Sequence, residues 1–418
     1  MKVVLFSLGT RGDMEPFLAI AEILHAKNWK VLCVFPEQFR STVEGLGYRF
    51  EGFSSEFLEM LEGTDAKMLM GGHGSILERI KLLIRISKIG IKLNKDMATL
   101  QHKIQEKEHP DLICYHPKCN FALLWGMRNP GKSILISPIP FMAHPIKHMT
   151  ALGNNYGTII NRCSFWLTNT VKTIVLKNAA KKYLNHVTDV KYSISTIKKA
   201  MLESEKSFYT ISPSLFPKPD YWPAPAKVVG YYERDKTKSW QPNAKLSEFL
   251  ESSDKTIFIT FGSMSNTNPK QKTKIILDVL KKLQIRAIIN TSWGGLEKTD
   301  HPPQNVLFVD NIPYDWIFPK MYAIVHHGGS GTTHTALKYS CPSLIIPHII
   351  DQFYWNRTIA DLRLGPLGFP IKKLHESAFE QKLLDLIHNP VYKTNAEAIS
   401  QKMAHESDPQ MLYELMVN

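Results

Sequence analysis

Short runs of consecutive apolar residues, each followed by a stretch with apolar positions every three or four residues, recur along the 418-residue chain. The same order appears three times. KVVLFSL (2–8) is an apolar strand, followed by GTRGD, then by the helically spaced MEPFLAIAEILHAKNW, then by the strand KVLCVF (30–35). KTIFITF (255–261) leads through GSMSN into PKQKTKIILDVLKKL and on to RAIINT. YAIVHH (322–327) leads through GGSGTT into a helix ending near Tyr339, and then into CPSLIIP. Strand, small-residue loop, helix and strand form the crossover unit of a parallel sheet. One copy near residue 1 and two beyond residue 255 predict two doubly wound α/β domains, which the chain length also suits.

Between the copies lies ISPSLFPKPDYWPAPAKVVGYYERD (211–235), with prolines at 213, 217, 219, 223 and 225. Prolines this dense keep a chain extended and mark a boundary. The expected division is a first domain over 1–211, a linker over 212–240 and a second domain over 241–418, the last helices packing back on the first domain. Residues 75–105 carry Lys81, Arg85, Lys88, Lys92 and Lys95 on one helix face. Leu83, Ile86, Leu93, Met97, Leu100 and Ile104 form a roughly opposite stripe. The segment around 79–95 reads either as a surface helix with a solvated basic side or as a contact with an anionic membrane surface. The pattern does not choose.

Composition narrows the field only a little. Lys and Arg outnumber Asp and Glu by 51 to 38, a net charge of +13, which favours an anionic partner without selecting it. The five cysteines (Cys33, Cys114, Cys119, Cys163, Cys341) are scattered, with no CxxC pair, so neither a disulfide framework nor a zinc site is indicated. The apolar start is too short for a signal peptide, and no run approaches the length of a membrane span. The expectation is a reduced, soluble, cytoplasmic protein, with peripheral membrane contact through the basic helix as the one variation.

Ligands of open α/β sheets bind beyond the carboxyl ends of the strands, which is where all three loops lie. The third loop has a G-x-G core at Gly329 and Gly331, and Asp351 lies at the usual acidic distance of a dinucleotide fingerprint. His334, however, takes the place of the third glycine, and no Gly-Lys-Ser/Thr follows to make a Walker loop. What remains is an anion site at a helix amino terminus, with hydroxyls at Ser330, Thr332 and Thr333. A plain strand-to-helix turn is the alternative, and it leaves His326 and His327 unexplained. In the first loop Asp13, after Thr10 and Arg11, is either a helix cap or a general base. Gly262 and Ser263 in the second loop could add phosphate donors, a weak signal alone.

Taken together these residues resemble the UDP-glycosyltransferase superfamily with the two-domain GT-B fold. Sterol glucosyltransferases and bacterial macrolide and glycopeptide glycosyltransferases are the most similar branches. GTRGDMEP (9–16) matches their amino-terminal signature, and SPSLFPKPDYWP their linker pattern with a tyrosine inserted. SWGGL (292–296), VDNIPYDWIFPKMYAIVHHGGSGTTHTAL and PHIIDQFYWNR match the carboxyl-terminal run. The resemblance implies a base at Asp13 with Thr10 beside the reacting sugar. It implies a diphosphate seat made by Ser263, His326 and the turn Gly328, Gly329, Ser330, Gly331 and Thr332. Asp351 and Gln352 match the pair that holds the donor sugar's hydroxyls, and Ile312 the backbone position that pairs with the uracil edge. Plant members carry a tryptophan just before that position, where this chain has Asn311. Trp293 is then a candidate to flank the base, or a core aromatic. His327 reads equally as a second phosphate contact or as packing.

The implied reaction is an inverting, metal-independent transfer of a hexose from a nucleotide diphosphate sugar to a hydroxyl of a lipophilic acceptor: a sterol, polyketide, carotenoid or lipid. The nucleotide sugar is a co-substrate, so no cofactor is expected. Nor is a metal, since no DxD-like cluster stands out, and no nucleic-acid partner is expected. Rival readings are a non-catalytic nucleotide-sugar or lipid binder, an epimerase of the same fold class, and an NAD-linked oxidoreductase, which His334 disfavours. Nothing in the sequence separates UDP from dTDP donors.

Overall fold

Val3, Val4, Leu5 and Phe6 are all fully buried, which a strand achieves only when paired on both edges and covered on both faces. A computed structural model describes residues 1–53, 94–151, 153, 155–236, 240–251, 255–266, 268–291 and 294–418. It divides into two compact units. Each is built on a wholly parallel sheet.

The first sheet contains β1 (Lys2–Phe6), β2 (Lys30–Pro36), β3 (Arg49–Phe53), β4 (Leu112–Tyr115), β5 (Ser133–Ser137), β6 (Lys206–Tyr209) and β7 (Ala226–Val228). Their order is β3-β2-β1-β4-β5-β6-β7. The second contains β8 (Ile257–Thr260), β9 (Ala287–Asn290), β10 (Val306–Val309), β11 (Ala323–His326) and β12 (Ser343–Ile345), in the order β10-β9-β8-β11-β12. All three predicted crossovers form, through the helices Arg11–Ala26, Pro269–Leu283 and Ser330–Lys338. Phe17, Ile20 and Leu24 of the first helix share one core with Val3, Leu5 and Cys33. Ile276, Val279 and Leu280 of the second share another with Ile257, Ile259 and Ile289.

The switch in strand order matters for function. In the first sheet the chain turns back between β1 and β4, and in the second between β8 and β11. Such a reversal leaves the loops leaving adjacent strands diverging, and a ligand can enter between them.

Residues 212–234 belong to the first unit, and the division falls between Arg234 and Asp235. The proline-rich stretch is anchored instead of free. Trp222 is buried against Tyr209 and His144, with ring centroids 4.5 and 5.3 Å away, and its indole N–H donates to Pro145 O at 2.8 Å. β7 then adds an edge strand, and Arg234 pairs with Glu15 at 3.1 Å. The final segment Glu406–Asn418 also clusters with the first unit. Leu412 and Met416 of the helix Pro409–Val417 are buried in its core, and the hydroxyls of Ser212 and Ser214 donate to Glu406.

Most of the basic segment 79–95 lies outside the described residues. Of its continuation, Lys95 is exposed while Met97 and Ile104 are buried.

Candidate active site

Thr10 adopts an extended conformation before the helix Arg11–Ala26, which puts Asp13 in the first helical turn. Asp13 Oδ2 accepts the Thr10 N–H at 2.8 Å, as an acidic residue does at this point in a capping box. The Thr10 hydroxyl is a looser 3.4 Å away. The other carboxylate oxygen, Oδ1, faces the loop after β4, where Lys118 Nζ lies at 3.4 Å and His116 Nε2 at 3.1 Å. The imidazole approach is a close electrostatic contact rather than an aligned hydrogen bond. His116 Nδ1 accepts the Lys118 N–H at 3.3 Å, which leaves the ring proton on Nε2, towards Asp13.

These neighbours decide the charge of the site. Burial alone would push the Asp13 carboxyl up, but the Lys118 ammonium, His116 and the Thr10 N–H outweigh it and hold it far below the usual carboxylate range. Burial keeps His116 neutral by pulling its pKa down. Asp13 is therefore an anion whose side chain is still 17% exposed. A small cavity opens next to the same loop, lined by Tyr115, Pro117, Asn120, Met142 and Lys172 among others. Lys172 is largely buried, donates to Met142 O at 3.0 Å, and has its pKa lowered to about 8 by that burial.

In the second unit the loops after β8, β11 and β12 converge. The positive φ of Gly328 (91°) turns the chain from β11 into the helix Ser330–Lys338. A Cβ there would stand 2.6 Å from Ile345 Cγ2, so the position requires glycine. Thr333 N reaches Gly329 O at 2.9 Å and closes the first turn of that helix. Behind this turn His326 is fully buried. Its Nδ1 accepts the Gly328 N–H at 3.1 Å, so Nε2 carries the proton, and that Nε2 has no hydrogen-bond partner. Burial, with a smaller contribution from His327, holds the ring neutral.

The described candidates Ser263, Asp351 and Gln352 gather around this turn, and Ile312 does not. Gln352 caps the helix Ile350–Asp361 instead of standing open: its Oε1 accepts from His348 N at 2.7 Å and Ile349 N at 3.1 Å. Its amide Nε2 donates to the Met264 thioether at 3.3 Å, which ties the β8 loop to the β12 loop. Asp351 sits next to it in the same first turn, and Ser263 lies in the turn between Gly262 and Met264. Ile312 lies beyond β10, at the other edge of the sheet. Its side chain is in the core, and the left-handed Asn311 (φ 53°) sets its backbone direction. Trp293 lies outside the described residues.

Two features of the second unit were not read from the sequence as they stand here. His327 is buried between two loop glycines: Cβ atoms at Gly262 and Gly329 would meet its ring at 2.6 and 2.4 Å. The ring fills the space between the β8 and β11 loops. His348 packs edge-on against Phe261 at 5.0 Å and, like His326, has a buried Nε2 with no hydrogen-bond partner. In the first unit His116 and Lys118 were likewise missed. Their only signal is their position directly after an apolar strand, LICYHPK. Among the described residues no group of three or more His, Cys, Asp or Glu side chains is placed to hold a metal ion.

Comparison with known proteins accords with this architecture. Residues 3–100 match the glycosyltransferase family 28 N-terminal domain, and residues 274–418 match the C-terminal domain of erythromycin biosynthesis protein CIII-like proteins. The sterol 3-beta-glucosyltransferase UGT80A2 of Arabidopsis thaliana is 28% identical over 424 residues, covering 97% of this chain and 63% of its own. A sterol 3-beta-glucosyltransferase of Saccharomyces cerevisiae is 26% identical, covering 97% of this chain and 34% of its own. The chain thus spans less than two thirds of the length of these relatives. Among solved structures, the kitacinnamycin glycotransferase superposes with a TM-score of 0.71 at 15% identity, covering 99% of this chain and 98% of its own. The spinosyn rhamnosyltransferase SpnG, complexed with thymidine diphosphate, gives 0.65 at 15% identity with both chains fully covered. Glycosyltransferase domains are thus matched at both ends of the chain, sterol glucosyltransferases align along nearly its whole length, and its two parallel-sheet units are those of the GT-B fold.

Proposed function

We propose that this protein transfers a hexose, with inversion and without a metal, from a nucleotide diphosphate sugar to a hydroxyl of a lipophilic acceptor. The observation that carries the proposal is the state of Asp13, an ionised carboxylate at the carboxyl end of β1, still partly open to solvent and braced by Lys118, His116 and the Thr10 amide. The sterol specificity named for the relatives, and the apolar side chains among those lining the cavity beside His116, support a lipophilic acceptor. The thymidine diphosphate bound by one neighbour supports a nucleotide diphosphate donor.

In this mechanism the acceptor hydroxyl donates to Asp13. Its oxygen bonds to the anomeric carbon while the bond from that carbon to the diphosphate breaks, and the bonding pair leaves with the phosphate oxygen. Asp13 takes the proton. A carboxylate stabilised this strongly is a weak base, so the proton moves late, once the attacking oxygen has gained positive charge. The unpartnered Nε2–H of His326 and the amino terminus of the helix Ser330–Lys338 stabilise the charge that grows on the diphosphate. Asp351 holds a sugar hydroxyl. Gln352 contributes mainly by fixing the turn, since its carbonyl oxygen is already occupied.

The test is nucleoside diphosphate release from UDP-glucose and from a dTDP-hexose, with and without a sterol, in the presence of EDTA. Acceptor-dependent release with a β-configured product from an α-configured donor is expected. Release that ignores the acceptor would indicate a hydrolase or epimerase. Tight donor binding without release would indicate a binding protein, and a Mg²⁺-reversible loss in EDTA would overturn the metal-free step.

A further inference from the structure

The 26-residue helix Thr158–Tyr183 of the first unit carries apolar side chains on its outward face as well as among its buried residues. Its inward face includes Asn161, Asn169 and Thr173: Asn161 Nδ2 donates to Lys147 O at 3.0 Å, and Thr173 Oγ1 to Asn169 O at 2.7 Å. Its outward face carries Ile159, Ile160, Trp166, Leu167, Val171 and Ile174, which are between 43% and 79% exposed. With about 100° between successive residues these six fall on one side, opposite Asn161, Phe165, Asn169 and Leu176. Single exposed apolar residues need no explanation, but a continuous stripe several turns long does.

Charge identifies what the stripe suits. The helix contains Arg162, Lys172, Lys177, Lys181 and Lys182 and no Asp or Glu. Lys177 and Lys181 continue the line of Ile159 and Trp166 toward the carboxyl end, Arg162 flanks its start, and all three are exposed. Pairing with the same helix of a second copy would set these cations near one another with no carboxylate on either helix to offset them. A surface that offers apolar depth and negative charge together is complementary to both features. No helix among the described residues is long and apolar enough to cross a membrane, so contact of this kind would lie in the interface.

We propose that the outward face of Thr158–Tyr183 is a docking surface for an anionic lipid bilayer, with the apolar side chains entering the acyl boundary and Arg162, Lys177, Lys181 and Lys182 meeting the headgroups. From its opposite face the same helix turns Asn169 and Lys172 to the cavity beside His116, so docking would hold that cavity one helix thickness from the lipid. The proposal goes beyond the functional reading and does not depend on it.

The experiment is co-sedimentation of the full chain with vesicles of phosphatidylcholine, alone or mixed with phosphatidylglycerol. Binding to the mixed vesicles is expected, with each of Lys177→Gln, Lys181→Gln and Lys182→Gln weakening it by about fivefold. The double variant Trp166→Ser/Leu167→Ser should weaken it by about tenfold or more while the circular dichroism spectrum and nucleoside diphosphate binding are retained. Absence of binding by the wild type, equal binding to neutral vesicles, or full binding by the double variant would each overturn the proposal. So would a wild-type dimer in sedimentation velocity that the double variant converts to monomer.

Discussion

Asp13 and His326 are opposite solutions to placing a polar group in a folded interior. Asp13 keeps its charge because a lysine, an imidazole and an amide surround it. His326 gives up its charge because nothing offsets its burial, and it retains a proton on Nε2 with no acceptor among the described residues. A buried donor without an acceptor costs roughly 1–3 kcal/mol, which a ligand oxygen would recover. His326→Ala is therefore expected to weaken binding of a nucleoside diphosphate far more than of the parent nucleoside, as isothermal titration of both would read. Equal losses would place the side chain away from the phosphates. Both residues were legible in the sequence because each lies at the end of an apolar strand, next to a small-residue loop. His116 and Lys118 were not, since their meaning depends on β4 pairing beside β1, across about a hundred residues that no local pattern spans.

At the level of elements, the second unit concentrates neutral histidines around its loops. His327, His334 and His348 have pKa values lowered to about 4, 4 and 3, chiefly by burial. Their folded values lie below the unfolded value of about 6.5, so between those limits the unfolded chain binds more protons. Stability is then full above pH about 6.5 and falls as pH drops towards 4, by about 1.4 kcal/mol per pH unit for each histidine. In the first unit Glu205 acts the other way. Burial raises it to about 8, and it accepts from Ser133 and Tyr115, so its protonation on acidification favours the fold. Urea unfolding at several pH values, with limited proteolysis to locate the first opening, should show the second unit failing first in acid. A flat stability profile from pH 7 to 5, or first cleavage in the first unit, would contradict this. His334 illustrates what the sequence could tell. Its size argued against a dinucleotide glycine, but its role, an Nδ1 contact of 2.7 Å to Ser330 O with the ring edge-on to Trp355, depends on a helix packed beside it.

At the level of the molecule, the two sheets were legible because each crossover repeats the same pattern of apolar strand, small-residue turn and amphipathic helix. The placement of 212–234 was not, because dense prolines predict an extended chain but not what it packs on. Trp222 and the three-residue strand β7 make it part of the first unit. Each unit carries one part of the proposed chemistry, the base in the first and the diphosphate seat in the second. The most direct test is Asp13→Asn, which keeps the shape of the side chain and removes its basicity. Steady-state turnover should fall by about 10²-fold or more, while titration shows the nucleotide sugar still bound as in the wild type. Turnover equal to the wild type would contradict the central claim that Asp13 removes the acceptor proton.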